Sequence, residues 1–145
     1  MSSNATDRYN DFNRSLIADL RANRGKATSG PFMGRQVLIL SNTGAKSGDT
    51  REAPLAYSRA GDDYVIIASK GGAPTHPSWY HNLVANPDAK IEVLGETIPV
   101  RARVAEDEEE YERLYREHAR LMPGFNDYRK NTTRKIPVVV LQPKT

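Results

Sequence analysis

Arg51–Arg59 and Asp63–Ser69 are separated only by Ala60-Gly61-Asp62, and Ala89–Leu94 and Thr97–Ala105 only by Gly95-Glu96. Links of two or three residues can reverse a chain, whereas a parallel crossover takes a dozen residues or more. Both pairs are therefore expected to be antiparallel hairpins. Two further runs rich in branched apolar side chains, Arg35–Leu40 and Ile136–Leu141, also read as strands. About six antiparallel strands in a chain of 145 residues are expected to close into a small barrel.

The period changes to helical in three places. Tyr9, Phe12, Leu16 and Leu20 form one stripe over Asp7–Asn23, which stops at Asn23-Arg24-Gly25. Ser78–Ala85 is a short helix stopped by Asn86-Pro87, and Lys70–Pro77 before it is a glycine- and proline-rich loop. Asp107–Met122 places Tyr111, Leu114, Tyr115, His118 and Met122 on one face, and Pro123-Gly124 ends it. The fold class is thus α+β. Residues 1–145 are expected to be one domain, with an N-terminal helix and loop (1–34) and a barrel core (35–145).

Composition removes several chemistries. There is no cysteine, which excludes disulfides, thiolate nucleophiles and cysteine-ligated metals. His76, His81 and His118 lack the paired spacing of metal ligands, so no metal is expected. No GxSxG, GxGxxG or Walker A sequence is present. The net charge of +3 conceals an uneven distribution, because Glu106–Glu112 holds six acids and no base. Setting that run aside leaves 21 basic against 12 acidic side chains, a body of +9, which suits an anionic partner. The Glu run is explained as the acidic first turn of a helix. Nucleic acid is not the expected partner, since no aromatic run suited to base stacking accompanies the charge.

With a mean hydropathy of −0.65 and no long apolar stretch, no membrane span is expected. The N-terminus lacks the pattern of a secretory signal, so the expected location is the cytoplasm. The N-terminal stripe is expected to pack on the domain. It also leaves open a weak peripheral contact with the inner face of the cell membrane, or a place over a substrate entrance.

Phosphate-like signals remain. Thr43-Gly44-Ala45-Lys46-Ser47-Gly48 sets a lysine and two hydroxyls among glycines, in a turn whose backbone N–H groups can face an anion, and Arg51 follows. Ser69-Lys70-Gly71-Gly72 repeats that chemistry at a strand end. Pro77-Ser78-Trp79-Tyr80 puts the only tryptophan at a helix start. Phe125-Asn126-Asp127-Tyr128 follows the Pro-Gly break and is placed to cover a pocket. Together they suit a flat ring with an anionic tail, such as a flavin-like redox cofactor.

At these residues the chain resembles the deazaflavin-dependent nitroreductases, small split β-barrel oxidoreductases that use coenzyme F-420. The resemblance runs through residues 43–48 with Arg51 and Pro54-Leu55, then Ala68–Gly72, Pro77–Leu83, Ala85-Asn86-Pro87 and Ile136-Pro137-Val138-Val139. It implies an FMN-binding-protein-like split barrel and a reductase that passes a hydride to a small electrophilic acceptor such as a quinone, nitro compound or activated enone. FMN is the alternative cofactor. By the same resemblance Lys46, Ser47 and Arg51 hold the coenzyme's phosphate and acidic tail. Pro54, Leu55 and Ala56 approach the ring, Ala68, Ser69 and Lys70 contact ring and tail, and Ser78, Trp79, Tyr80 and Asn82 form the helix start beside them. Phe125 and Tyr128 correspond to an aromatic substrate lid, and Ser69 and Tyr128 are the candidate hydrogen-bond or proton donors. Phe125 stands where some relatives carry tyrosine, so a hydroxyl is missing there.

Overall fold

A computed structural model describes residues 5–73 and 75–144. Pro74 of the expected loop and the side chain of Tyr9 lie outside the described residues. In chain order the elements are α1 (Ala5–Ala22), β1 (Val37–Thr43), β2 (Thr50–Ala56), β3 (Ser58–Ala60), β4 (Asp63–Ile67), a 3-10 turn (Lys70–Gly72), α2 (Ser78–Ala85), β5 (Asp88–Val93), β6 (Glu96–Val104), α3 (Glu108–Leu121), α4 (Gly124–Lys130) and β7 (Val138–Pro143).

The seven strands form one antiparallel sheet in the order β2-β1-β5-β6-β7-β4-β3. The expected strand Arg51–Arg59 is divided at Tyr57, and its halves lie at opposite edges of that sheet. A single residue spans only about 3.8 Å, so the edges must converge at Tyr57 and the sheet must curl into a split barrel. Tyr57 fixes the corner by burying its ring edge-on against Tyr64 at 5.6 Å and donating its N–H to Gln36 O at 3.1 Å. Periodicity does not reveal this break, because the whole run has strand-like residues.

Alternation along the strands builds three cores. Leu38 and Leu40 of β1, Tyr64 and Ile66 of β4, and Val139 and Leu141 of β7 point into the barrel with Trp79 and Ile91. The alternate residues of β1, Val37 and Ile39, are covered by Leu16, Ile17 and Leu20 of α1. Those of β4 and β7 are covered by Tyr111, Leu114 and Tyr115 of α3. Strands buried on both faces read as unbroken apolar runs, which is why β1 and β7 stand out in the sequence. Among the described residues no helix is long and apolar enough to cross a membrane.

The β5–β6 turn lies one residue earlier than expected. Val93 pairs with Glu96, leaving Leu94-Gly95 at the tip with φ of 50° and 84°. Both central residues are left-handed, as a type I′ turn requires, and this turn matches the twist of its strands. The end of α1 rests on that tip. A Cβ at Gly25 would stand 2.6 Å from Leu94 N, so glycine permits the approach.

Asp107 caps α3 by accepting from Glu110 N–H at 2.9 Å. The Glu run does more than complement the helix dipole. Glu108 pairs with Lys135 (2.7 Å), Glu110 with Arg103 (2.6 Å) and Glu112 with Arg129 (2.8 Å). The last pair ties α3 to α4, a helix that the sequence reading leaves as an irregular cover.

Candidate functional site

A cavity of about 350 Å³ opens between the end of β2, the end of β4, α1 and α4. This is within the usual range of about 300–1,000 Å³ for small-molecule sites. Of the residues expected at a site, it brings together Pro54, Leu55, Ala56, Ser69, Lys70, Trp79, Phe125 and Tyr128. They come from four separate segments, so the juxtaposition is a product of the fold.

Pro54 sits in an edge strand, where its missing N–H costs no interior ladder bond. Trp79 is buried at the first turn of α2, with its neighbour Ser78 exposed. Ala68 is wholly buried in the barrel core, one residue before the wall formed by Ser69. Tyr80 packs partly on that core, its ring 4.8 Å from His76.

Lys46, Ser47 and Arg51 do not line the cavity. They are exposed on and beside the β1–β2 loop, where a Cβ on Gly44 would stand 2.7 Å from Ser47 Oγ and 3.7 Å from Arg51 Nε. Gly44 therefore allows hydroxyl and guanidinium to gather over the turn. Asn82 is buried and fastens this loop to α2, accepting from Ala45 N–H at 2.9 Å and donating to Asn42 Oδ1 at 2.7 Å. Arg51 is three residues from Pro54 along β2, about 10 Å. Asn82 is nearly one helical turn from Trp79. Two tethers thus set the basic loop beside the apolar cavity.

The cover over the cavity is held from behind. Tyr115 donates its hydroxyl to Phe125 O at 2.6 Å, and the rings of His118 and Phe125 meet edge-to-face at 4.5 Å. Phe125 in turn meets Tyr128 at 5.0 Å. His118 is fully buried, with Nδ1 2.9 Å from Ser58 Oγ, while its Nε2 has no hydrogen-bond partner among the described residues. Burial pushes its pKa down to about 4, because a charged ring would lie unsolvated.

Gly72, at φ +85°, lets the 3-10 turn approach α4, and a Cβ there would stand 3.2 Å from Tyr128 O. Gly72→Ala is expected to destabilise the protein by about 1–2 kcal/mol through left-handed strain alone, and to displace Tyr128. Chemical denaturation and Tyr128 fluorescence or NMR shifts check this; unchanged stability with an unmoved Tyr128 would refute it.

Several lining residues were not among the candidate site residues, although the stripe bearing Phe12 was left a place over a substrate entrance. Phe12 and Asn13 of α1, with Pro31, Phe32 and Arg35 of the following loop, complete one wall of the cavity. The N-terminal stripe therefore serves two ends, with Leu16, Ile17 and Leu20 packing on the sheet and Phe12 reaching the cavity. Arg134 was also missed. It hydrogen-bonds the segment bearing Ser69 and Lys70, and only the folded chain shows a basic residue before β7 meeting that segment.

The family model described as F420H(2)-dependent quinone reductase matches residues 12–143. An F420H(2)-dependent quinone reductase of Mycobacterium tuberculosis (strain ATCC 25618 / H37Rv) is 44% identical over 106 residues, covering 72% of this chain and 71% of the relative. A solved F420-H2 dependent reductase is 37% identical, with a TM-score of 0.68 over 74% of this chain and 95% of its own. A solved domain-swapped dimer is 31% identical, with a TM-score of 0.69 over 96% of this chain and all of its own, 100%. On these matches the chain belongs to the F420H(2)-dependent quinone reductase family.

Proposed function

We propose that the cavity seats the ring of reduced coenzyme F-420 together with an electrophilic acceptor, and that the β1–β2 loop holds the coenzyme's anionic tail. The observation that carries this reading is the pairing of an apolar cavity with a separate basic loop about 10 Å away along one strand. A flat ring and a charged tail need those two environments side by side. The residues present fit the group: Pro54, Leu55 and Trp79 offer apolar walls, while Lys46, Ser47, Arg51 and Lys70 offer donors for phosphate and carboxylate oxygens.

The coenzyme, when bound, supplies the hydride from its ring C5. The chain's own part is positioning. The end of β2 and Trp79 fix one side of the cavity, and Phe125 and Tyr128 limit the other, so donor and acceptor are held in contact. Met122, Phe12 and Phe32 make the acceptor side apolar and exclude water. Ser69 and Tyr128 are hydroxyl-bearing residues of the wall, placed to donate a hydrogen bond to the oxygen of a reduced quinone. Nitro compounds and activated enones meet the same requirements of flatness and electrophilicity, and are proposed as further acceptors.

Oxidised coenzyme F-420 and FMN titrated separately into the purified protein test the assignment. Saturable quenching by the deazaflavin with much weaker FMN binding is expected, followed by steady oxidation of the reduced coenzyme by menadione. Preference for FMN, or no deazaflavin binding, would sink it.

A further inference from the structure

The segment from Ala68 to His76, which carries Ser69 and Lys70, is gripped by one guanidinium. Arg134 donates from Nε to Ala73 O at 2.9 Å, and from Nη2 to Ser69 O at 2.8 Å and Ala68 O at 3.2 Å. Its Nη1 stands 2.8 Å from His76 Nδ1. A guanidinium has no acceptor, so the imidazole must accept at Nδ1, which only the neutral ring can do. The partners lie at both ends of the segment, and a rigid planar fork holds them in one plane.

The groups facing His76 agree with a neutral ring. Arg134 approaches from the segment between α4 and β7, while from α2 the rings of Tyr80 and His81 lie at 4.8 Å and 5.7 Å. Lys70 reaches the same segment through Thr75 Oγ1 at 3.5 Å. Burial first, then the Arg134 charge, then His81 hold the imidazole below its ordinary range.

In a trans peptide the C=O and the following N–H point to opposite sides. With the carbonyls of Ala68 and Ser69 turned onto Arg134, the N–H groups of Ser69 and Lys70 turn away from it. Lys70 adopts φ of 48°, a left-handed conformation that costs a non-glycine residue energy, and the turn's own bonds, Gly72 N–H to Ser69 O at 2.9 Å and Ala73 N–H to Lys70 O at 3.2 Å, act with the clamp to hold it. The clamp therefore fixes which way the Ala68–Ser69 and Ser69–Lys70 peptides face.

We propose that Arg134 is the positioning residue of the cofactor site, using neutral His76 as its fourth acceptor to hold the Ala68–Ser69 and Ser69–Lys70 peptides with their N–H groups toward the ligand. This rests on the cavity being the coenzyme site. Arg134 touches neither coenzyme nor acceptor in this scheme. It acts through the loop.

Two variants test the clamp. Arg134→Lys keeps the charge but loses the fork, and His76→Gln keeps an acceptor for Nη1. Two readouts are taken: the affinity for oxidised coenzyme F-420, and amide hydrogen exchange at residues 69–73 in the coenzyme-free protein. R134K is expected to bind the coenzyme about tenfold more weakly or worse, with faster exchange confined to those residues, while H76Q stays near wild type in both. Wild-type exchange across 69–73 in R134K overturns the proposal, whatever binding does. If R134K exchanges faster throughout the chain, His76→Leu decides instead: acceleration at 69–73 alone supports the clamp, and none overturns it. Failure of the wild-type protein to bind the deazaflavin overturns the cofactor reading, while the exchange arm still settles the clamp.

Discussion

Acidification from pH 7 to pH 4 is expected to remove about 3 kcal/mol of stability through the single imidazole of His118. The folded pKa of about 4 lies below the ordinary value of 6.5, so the unfolded chain takes up the proton first as pH falls. The contribution is therefore complete above pH 6.5 and is lost progressively as pH drops toward 4. His76, held low by burial and the Arg134 charge, acts in the same direction. The cost is concentrated where the cover is fastened, because a protonated Nε2 would sit without a partner beside Phe125. Fraying of α4 should precede global unfolding. Denaturant unfolding at several pH values, with an NMR titration of the His118 ring, gives the measurement. The double variant His118→Phe with Ser58→Ala removes both polar partners and should make the fall between pH 6.5 and 4 shallower by the His118 share, leaving that of His76. A His118 titration near 6.5, or an unchanged curve in the double variant, would contradict the expectation.

Replacing Lys46 and Arg51 together with alanine is expected to weaken binding of the intact coenzyme by about a hundredfold. Charge-assisted hydrogen bonds contribute roughly 1.5–3 kcal/mol each, and the exposure of both side chains argues for the lower end. Two losses of about 1.5 kcal/mol make two decades in Kd. The loop should survive, because its anchors are Asn82 and its own backbone bonds, Gly44 N–H to Asp49 O and Gly48 N–H to Gly44 O. A deazaflavin fragment without the phosphate tail separates the two environments. Its affinity should be equal in wild type and double variant, and the loss for the intact coenzyme should shrink in high salt. Equal affinity of both proteins for the intact coenzyme would remove the loop from the site.

Much of the candidate site was legible as clusters, because each cluster is local. Thr43–Gly48, Ser69–Gly72 and the segment around Trp79 announce themselves by glycine, hydroxyl and charge within a few residues. The strands buried on both faces were legible for a similar reason, as β1 and β7 leave no polar gap. Tyr57 was not legible as a corner, since the residues on either side of it suit a strand and only pairing partners divide them. The tip at Leu94-Gly95 was misplaced by one residue because leucine rarely signals a left-handed turn. Helix α4 was obscured by its small size and by having no buried face, since only Phe125 and Tyr128 are even half-buried, with Tyr115, His118 and Arg129–Glu112 supplying its fastenings. Arg134 shows the same limit for chemistry. Its partners lie 58 to 66 positions away, and three of them are backbone oxygens that carry no sequence signature.

The order of strands also bears on how the molecule is made. β7 inserts between β6 and β4 and, among the described residues, is the one strand joining β2-β1-β5-β6 to β4-β3. While the ribosome is still delivering residues 138–143, the earlier strands can form at most two unconnected sheets, and the β3–β4 hairpin waits with an open edge. At synthesis rates of about 5–20 residues per second the stretch from the end of β4 to the start of β7 takes seconds, during which the hairpin's edge is unpaired. Joining the two parts of the sheet therefore waits on β7.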